Sequence, residues 1–457
     1  MAVFFKYFTI WILLVLVLFP SCTYADEFSE ESSFLDELII QESFLFRYLS
    51  EKNEYDNSTY IMALLEVKYS EENYEIDVGA MLYKDSNETG AELNQVSLHY
   101  FADDFEFSIG KYVQTLGALD YLSSTNLLNP TRSEFFDDEN INIRRVPLLM
   151  AGLRYYPNEE WKLETIVQAF DADHQDLSSA YLNFALDTLM PSYLESLTTS
   201  NSSLDQINNE IFLPVYKNSI SSALNSHIKD QYESESILAA DKAGLFVVAE
   251  YSADAVSIGG VWINRYTEIP YIEVNQDLLD GLEALQSDPT DFGVFEDYIN
   301  SNDLDPISKV QGYRYNQYNL YAEGTIFSFG IRAEASYRDK IPAINEYSTL
   351  HSFGLGIDHK LGSMYNSIEV QYLDVDALSQ EIYASVWASK FDAIHYKGTD
   401  IYFDHYLLYG SYEGITEITS FPSVPLSYNN YDIIFQYLNS KEQSQMNTFS
   451  MLLKAFF

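Results

Sequence analysis

The chain has 457 residues, and its 25 Lys and Arg are outnumbered by 69 Asp and Glu, which gives a formal net charge of −44 at pH 7. Such acidity excludes a nucleic-acid-binding protein, because binding to phosphates requires a basic surface. It favours cations as partners, or a cell surface that divalent ions cross-link, although acidity also serves solubility alone.

The first 25 residues are typical of a secretory signal peptide. Lys6 supplies the positive charge, residues 9–19 form an apolar stretch of suitable length, and Pro20 ends it. Small residues before the cut predict cleavage after Ala25. Two alternatives stay open: a retained membrane helix, which would need about 20 apolar residues, and a lipoprotein anchored at Cys22.

The mature chain, residues 26–457, would carry a charge of −45, because Lys6 is the only charged residue that leaves with the signal. Cys22 is the only cysteine and leaves as well, so disulfides and thiol chemistry are excluded. No later apolar stretch is long enough for a membrane helix, yet the chain contains 38 Tyr and 29 Phe. This combination is typical of a membrane β-barrel or of a secreted all-β protein.

Apolar and polar residues alternate along many segments, which predicts β-strands with one apolar face. The clearest segment is 327–338, and the pattern recurs at 61–69, 74–82, 105–109, 245–251, 368–372, 431–437 and 449–457. In a membrane barrel the apolar face meets lipid and the polar face lines the lumen. A soluble sandwich turns its apolar face inward, so alternation alone does not separate these two folds.

The lengths of the connections favour the barrel. Short links at 70–73, 102–104, 157–160, 252–254, 323–325 and 360–363 alternate with long ones at 51–58, 84–91, 117–146, 171–242, 266–311 and 339–347. Short periplasmic turns and long extracellular loops are typical of outer-membrane barrels. We therefore predict one closed antiparallel transmembrane β-barrel over residues 26–457, with about 16 strands and a range of roughly 14 to 18. Strands and turns between residues 375 and 427 stay unassigned.

Three connections are long enough to carry structure of their own, at about 117–146, 171–242 and 266–311. Apolar residues at helical spacing within 171–242 and 275–300 predict short extracellular helices. These inserts would serve as a lid over the outer mouth, as a binding surface, or as decoration.

The sequence shows no catalytic motif. A nucleophile elbow and a phosphate-binding glycine loop are both missing, and the seven His are scattered. His351 and His359 are eight residues apart, too far for a shared metal ion. We therefore predict no enzymatic activity, no metal and no cofactor.

Charged residues concentrate in the connection at 117–146 and just beyond it. Four of the nine Arg of the mature chain fall between residues 132 and 154. If the loop folds into the lumen, opposed charges there create a transverse field that sets selectivity. A salt-bridged rim that merely holds the loop would explain the clustering equally well. The constriction that we predict consists of Arg132, Asp137, Asp138, Glu139, Arg144 and Arg145.

Several motifs between residues 110 and 161 resemble those of porin-like outer-membrane barrels, loosely the alginate-export-type channels. They are Gly110 to Gly117, Leu127 to Arg132, Arg144 to Pro147, and Tyr155 to Pro157 ahead of Trp161. The resemblance implies the outer membrane of a Gram-negative bacterium, with membrane lipid and lipopolysaccharide as surroundings. It also implies that the barrel-assembly machinery recognises the aromatic Phe457 at the end of the closing strand.

Strand parity assigns mainly acidic side chains to the lumen, which predicts a weak preference for cations. The lining residues that we predict are Glu75, Asp77, Arg332, Glu334, Asp358 and Glu369. The predicted function is a passive channel for small hydrophilic solutes, cationic or polar. The alternatives are a barrel that only displays binding loops and a barrel enzyme. A homo-oligomer is compatible with each of these functions.

Overall fold

The structure, a computed structural model, describes residues 38–51, 57–84, 89–129, 145–169, 242–274, 276–277, 280, 307–342, 347–375, 380–396, 399–412, 415–428, 431–441 and 446–456. The predicted signal peptide at 1–25 and Phe457 lie outside these residues, as do most of the predicted inserts at 117–146, 171–242 and 266–311. Among the described residues, we find no helix with the length and apolarity needed to cross a membrane.

The described chain forms eighteen β-strands. They are β1 (Leu38–Glu51), β2 (Asn57–Glu71), β3 (Tyr74–Lys84), β4 (Thr89–Phe101), β5 (Phe105–Tyr112), β6 (Leu148–Asn158), β7 (Trp161–Gln168), β8 (Gly244–Ala253), β9 (Val256–Val274), β10 (Ile307–Ile326), β11 (Phe329–Pro342), β12 (Tyr347–Leu361), β13 (Met364–Val375), β14 (Gln380–Tyr396), β15 (Thr399–Tyr412), β16 (Ile415–Tyr428), β17 (Tyr431–Lys441) and β18 (Met446–Phe456).

All eighteen strands belong to one antiparallel sheet, in which each strand pairs with the next along the chain. β1 also pairs with β18, from Gln41 opposite Phe456 to Glu51 opposite Met446. The ladder therefore returns to its first strand, and each described strand has two hydrogen-bonded neighbours. We call this ring of strands the barrel. Its strand number lies within the predicted range and above the predicted value of about 16, because the unassigned region from 375 to 427 forms most of β14, β15 and β16.

The two ends of the barrel differ in their connections. At one end, which we call the short-turn end, every connection between the described strands is two or three residues long. Three long connections, at 113–147, 169–243 and 275–306, lie at the opposite end, the long-loop end. They join the neighbouring strand pairs β5–β6, β7–β8 and β9–β10. The three longest connections therefore lie side by side at the long-loop end, between β5 and β10.

Two predicted boundaries in this region are wrong. The predicted link at 323–325 is part of β10, and the turn is formed by Phe327 and Ser328, with Phe327 at φ 57°. The predicted insert at 266–311 is shorter, because β9 continues to Val274 and β10 begins at Ile307. These two strands pair well beyond the segment that alternates clearly, so the pattern underestimates their length.

Where the structure describes the side chains of the barrel, the outward face is apolar, and the inward face carries buried charged residues together with a buried apolar cluster on β6 to β9. On β13, Glu369 is 0% exposed, whereas its neighbours Ile368 and Val370 are 50% and 45% exposed. Adjacent residues of a strand point to opposite faces. A carboxylate therefore lies inside the barrel with an apolar side chain outside on either side of it. Such a surface fits lipid as its surroundings rather than water.

Aromatic side chains border the apolar outward face near both ends. Near the short-turn end, the rings of Phe105 and Tyr155 stack with 4.7 Å between their centroids. Towards the long-loop end, the rings of Tyr318 and Tyr337 stack at 6.4 Å. Paired aromatic girdles are typical of barrels that cross a membrane, because these rings are favoured at the lipid–water interface.

The apolar face of β10 covers most of the height of the apolar band of an outer-membrane barrel. Its outward apolar residues run from Tyr318 to Ile326, about 27 Å of strand at about 3.4 Å per residue. A strand tilted by about 40° then covers a height of about 20 Å, close to the ~25 Å apolar band of outer-membrane barrels. Directly above, Asn316 donates to Asp339 (2.8 Å), and Asn264 donates to Asn316 (2.8 Å). A polar network thus begins where the apolar face ends.

Candidate functional site

Residues 113–129, which follow β5, run across the inside of the barrel, and we call them the inner segment. The ring of Tyr121 meets the ring of Tyr406 on β15 edge-on, with 5.9 Å between centroids. β15 lies eight strands from β5 in one direction around the ring and ten in the other. The inner segment therefore spans the lumen to the opposite wall.

Glu334 on β11 binds four donors of the inner segment. Its carboxylate accepts hydrogen bonds from the backbone N–H groups of Ala118 (2.6 Å), Leu119 (2.8 Å) and Thr125 (3.4 Å), and from the Ser123 hydroxyl (2.9 Å). The residue is only 1% exposed. Since a buried charge is costly unless it is fully hydrogen-bonded, Glu334 and the inner segment depend on each other.

Glu369 on β13 binds the next turn of the inner segment. It accepts hydrogen bonds from three successive backbone N–H groups, those of Asp120 (2.8 Å), Tyr121 (3.0 Å) and Leu122 (2.9 Å). Successive N–H groups directed at one anion form a nest, which is a favourable cradle for negative charge. Here the bound anion is a side chain of the barrel wall itself.

A charged cluster surrounds Arg332 on β11. Its guanidinium donates to Asp120 of the inner segment, to Asp358 on β12 (2.6 Å) and to Ser367 on β13 (3.1 Å), and lies 3.4 Å from Glu369. One positive charge thus faces three carboxylates, which leaves the cluster net negative. The Asp120 side chain is 62% exposed, so part of this negative charge faces solvent.

The later part of the inner segment is held by three donors of the barrel wall and by Arg145, near the end of the same connection. Each of these donors binds a backbone carbonyl of the segment. They are Gln317 to Ser124 (2.8 Å), Arg265 to Leu127 (2.7 Å), Gln168 to Leu128 (2.6 Å), and Arg145 to Asn129 (2.7 Å). Leu116, Ala118 and Leu128 also pack into a buried apolar cluster with side chains of β6 to β10.

Glycines make room for the inner segment at two places. Leu119 lies against Gly354 and Gly356 of β12, where a Cβ on Gly356 would be 3.0 Å from Leu119 Cδ2. Gly117 has φ +91°, which L residues rarely adopt, and a Cβ there would meet the Glu334 carboxylate. Both the path of the segment and its docking therefore depend on missing side chains.

Other charged residues of the inner wall pair along its circumference. Glu75 pairs with Lys68 (2.7 Å), and the Asp77 carboxylate lies 3.9 Å from His99. Further round, Arg154 binds both Glu106 and Glu164, and Lys162 binds Glu250 (2.7 Å). A recess of about 560 Å³ opens at the short-turn end, and its lining includes Glu323, Asp358 and Arg332.

The structure separates the residues that we predicted from sequence into three groups. Arg132, Asp137, Asp138, Glu139 and Arg144 lie outside the described residues. Arg145 is buried and binds backbone carbonyls of the inner segment. The six predicted lining residues lie on the inward face, but Glu334 and Glu369 are covered by the inner segment, whereas Glu75 and Asp77 are only partly buried.

The docking of residues 113–129 was missed at the sequence level. Charge clustering drew attention to residues 132–145, yet the first part of the connection makes the contacts described above. A usable signal was present, because Asp120 is the only charged residue among these seventeen in a strongly acidic chain. A long, almost uncharged loop is typical of buried rather than solvated chain.

Among the described residues, no three His, Cys, Asp or Glu are placed to hold a metal ion.

Comparisons with known proteins find similarity only at the level of structure. No family model and no curated protein matches the sequence, so the resemblance to alginate-export-type channels gains no support. OccK5 (OpdH) of Pseudomonas aeruginosa is 7% identical, with a TM-score of 0.49 over 93% of this chain and 99% of that one. OccK11 (OpdR) of the same organism is 8% identical, with a TM-score of 0.49 over 93% and 98%.

An anion-selective porin from Comamonas acidovorans is also similar, at 7% identity and a TM-score of 0.42 over 92% of this chain and 98% of that one. Likeness at this level does not transfer what those proteins do to this chain. Its function has to be inferred from its own geometry.

Proposed function

We propose that the chain is a passive, porin-like channel of the Gram-negative outer membrane for small hydrophilic solutes. The observation that carries the proposal is the inverted barrel: apolar side chains such as Ile368 and Val370 face outward, and charged ones such as Glu369 face inward. A polar interior inside a lipid-facing barrel serves the passage of polar solutes. The outward face would contact membrane lipid and lipopolysaccharide, and Phe457 would be recognised by the barrel-assembly machinery.

We propose that the inner segment narrows the lumen and that its charge gives the channel a weak cation preference. The Arg332 cluster is net negative, and Asp120 presents part of that charge to solvent within the barrel. Charges in a narrow passage with low-dielectric walls act strongly on passing ions. Arg132, Asp137, Asp138, Glu139 and Arg144 remain proposed constriction residues, because they lie in the chain between Asn129 and Arg145, which are hydrogen-bonded to each other.

The proposal is tested by reconstitution. The refolded chain is first checked for heat-modifiable gel mobility, and single channels are then recorded in planar bilayers under a KCl gradient. We expect stable conductance with a reversal potential that indicates cation preference. Clear anion selectivity would refute the proposed preference. Folded protein that inserts without conducting would favour the two alternatives, a loop-displaying binding barrel or a barrel enzyme.

Deletion of residues 171–242 separates the channel from the binding barrel. If the chain is a channel, conductance persists without this insert, because the barrel and the inner segment do not include it. If the barrel only displays loops, the same deletion abolishes binding to cells or surface ligands. Replacement of the insert by a short Gly-Ser linker provides the matched control for chain connectivity.

A further inference from the structure

Opposite kinds of contact hold two successive parts of the inner segment. We call residues 117–123 the tip and residues 124–129 the base. The wall holds the base mainly by donating hydrogen bonds to its backbone carbonyls, for example from Gln317 and Gln168. It holds the tip mainly by accepting hydrogen bonds at Glu334 and Glu369.

Two weaker contacts cross this division. The N–H of Thr125, in the base, also reaches Glu334, and Arg332 also donates to the carbonyl of Ala118, in the tip, both at 3.4 Å. A third contact that crosses the division is the ion pair between Arg332 and the side chain of Asp120. The backbone of the tip is nevertheless held chiefly by the two carboxylates, which bind five of its N–H groups. Gly117, with φ +91°, stands where the tip begins.

Protonation acts on these two parts differently. A carboxylate only accepts hydrogen bonds, whereas a protonated carboxyl carries an O–H donor and loses acceptor capacity. It also loses its charge, and charge-assisted hydrogen bonds are roughly twice as strong as neutral ones. Glu334 and Glu369 together bind six backbone N–H groups and one hydroxyl of the inner segment. The amide and guanidinium donors that hold the base keep their protons throughout the acid range.

We propose that the tip is an acid-released gate within the channel. At neutral pH, the two carboxylates hold residues 117–123 against the far wall. When Glu334 and Glu369 are protonated, the tip detaches and the lumen widens, while the base keeps its place beside β7 to β10. The inference rests on the proposed channel function, since a gate needs a passage to control.

Other titratable and charged groups near the two carboxylates do not replace them in this role. Those that surround them are Arg332 on β11, Asp358 on β12, Tyr321 on β10, and Asp120 and Tyr121 of the tip. Lys390 on β14 interacts with Tyr121. Asp120 and Asp358 both pair with Arg332, and neither carboxylate binds the backbone of the tip. The Asp120 pair ties the tip to β11 through one side chain, whereas Glu334 and Glu369 hold its backbone. Tyr321 donates to Glu250, and burial raises the pKa of Tyr121, so both phenols stay neutral in acid.

The gate is tested with the refolded mature chain, residues 26–457, in planar bilayers between pH 7 and pH 3.5, because protonation of Glu334 and Glu369 should release the tip. We expect single-channel conductance of the unmodified chain to rise with acid. The Glu334→Gln/Glu369→Gln variant should show the raised conductance already at pH 7 and should lose the acid-induced rise. Glu75→Gln is the matched control, since Glu75 pairs with Lys68 on the same inner wall. It should keep the full response to acid.

A second measurement does not depend on conduction. A nitroxide attached at Leu122→Cys reports the mobility of the tip, and its mobility should increase in acid when Glu334 and Glu369 are unmodified. In the Glu334→Gln/Glu369→Gln background, the label should be mobile at both pH values. Heat-modifiable mobility on gels confirms that each variant is folded before it is scored.

The two measurements keep the gate and the channel distinguishable. Protein that folds but never conducts refutes the channel, while the nitroxide still reports whether acid frees the tip. Protein that conducts, with neither conductance nor label mobility responding to acid, overturns the gate and leaves the channel standing. An acid response that Glu75→Gln abolishes as completely as the double variant also overturns the gate.

Discussion

Asp120 is the carboxylate through which the Arg332 cluster reaches solvent inside the barrel. It is paired with Arg332, and its side chain is nevertheless 62% exposed inside the barrel. Asp120→Asn should therefore weaken cation preference, because it removes an exposed negative charge inside the barrel while the backbone N–H of residue 120 still binds Glu369. Reversal potentials in a KCl gradient measure the change. Asp103→Asn, at the exposed turn between β4 and β5, is the control and should leave the reversal potential unaltered.

Gly117 and Gly362 allow backbone strain to be separated from the docking of the inner segment. Both have positive φ, +91° and +63°, but only Gly117 has a neighbour, the Glu334 carboxylate, that a Cβ would meet. Gly362→Ala should cost about 1–2 kcal/mol of unfolding free energy from conformation alone. Gly117→Ala should cost more and should also raise conductance, because the carboxylate has to move. Equal costs in urea unfolding, with unchanged conductance, would contradict the proposed contact.

Strand parity predicted the face of each lining residue and nothing about what covers it. Asp358 and Glu369 belong to the same inward face by alternation, yet Glu369 lies wholly beneath the inner segment and Asp358 does not. Alternation shows which face a residue occupies, because a strand has only two faces. Burial by a loop depends on the path of an aperiodic segment, and no period in the sequence records that path.

At the scale of the elements, β16 shows why the region from 375 to 427 resisted assignment. Pro422 and Pro425 interrupt it, and proline cannot donate to the ladder. The pairing of β16 with β17 has a gap between Ser420 and Ser423, next to Pro422. Two prolines within one stretch argue against a strand when only the sequence is read. The closed ring supplies the pairing on both sides that retains these residues in the sheet.

The contact between the inner segment and β12 gives a prediction of its own. Gly354→Ala places a methyl group where Leu119 lies, so the tip should shift and conductance should become larger and noisier, at a cost of about 1 kcal/mol. Adding Leu119→Ala should restore the behaviour of the unmodified channel, since the smaller side chain makes room. Gly410→Ala on β15, where nothing lies within 4 Å, is the matched control. If the double variant is no closer to the unmodified channel than Gly354→Ala, the contact does not position the tip.

At the scale of the whole molecule, the two faces of the barrel should respond oppositely to charge. Val370 and Gln371 are adjacent on β13, and Val370 lies on the outward apolar face. Val370→Lys should destabilise the barrel in lipid vesicles by about 2–4 kcal/mol, because it places an ammonium group near the middle of the bilayer. Gln371→Lys, on the inward face, should cost little. Urea unfolding from vesicles measures both, and equal costs would rule out lipid around this wall.

The pairing of β1 with β18 also has a consequence for synthesis. A chain that stops before β18 has made seventeen strands, yet it has two unpaired edges instead of none, one on β1 and one on β17. Exposed edges of this kind recruit other strands and promote aggregation. Chains that lack only β18 should therefore aggregate strongly, although only a few residues are missing. Correct folding of this protein therefore requires that β18, the last strand to be synthesised, pairs with β1.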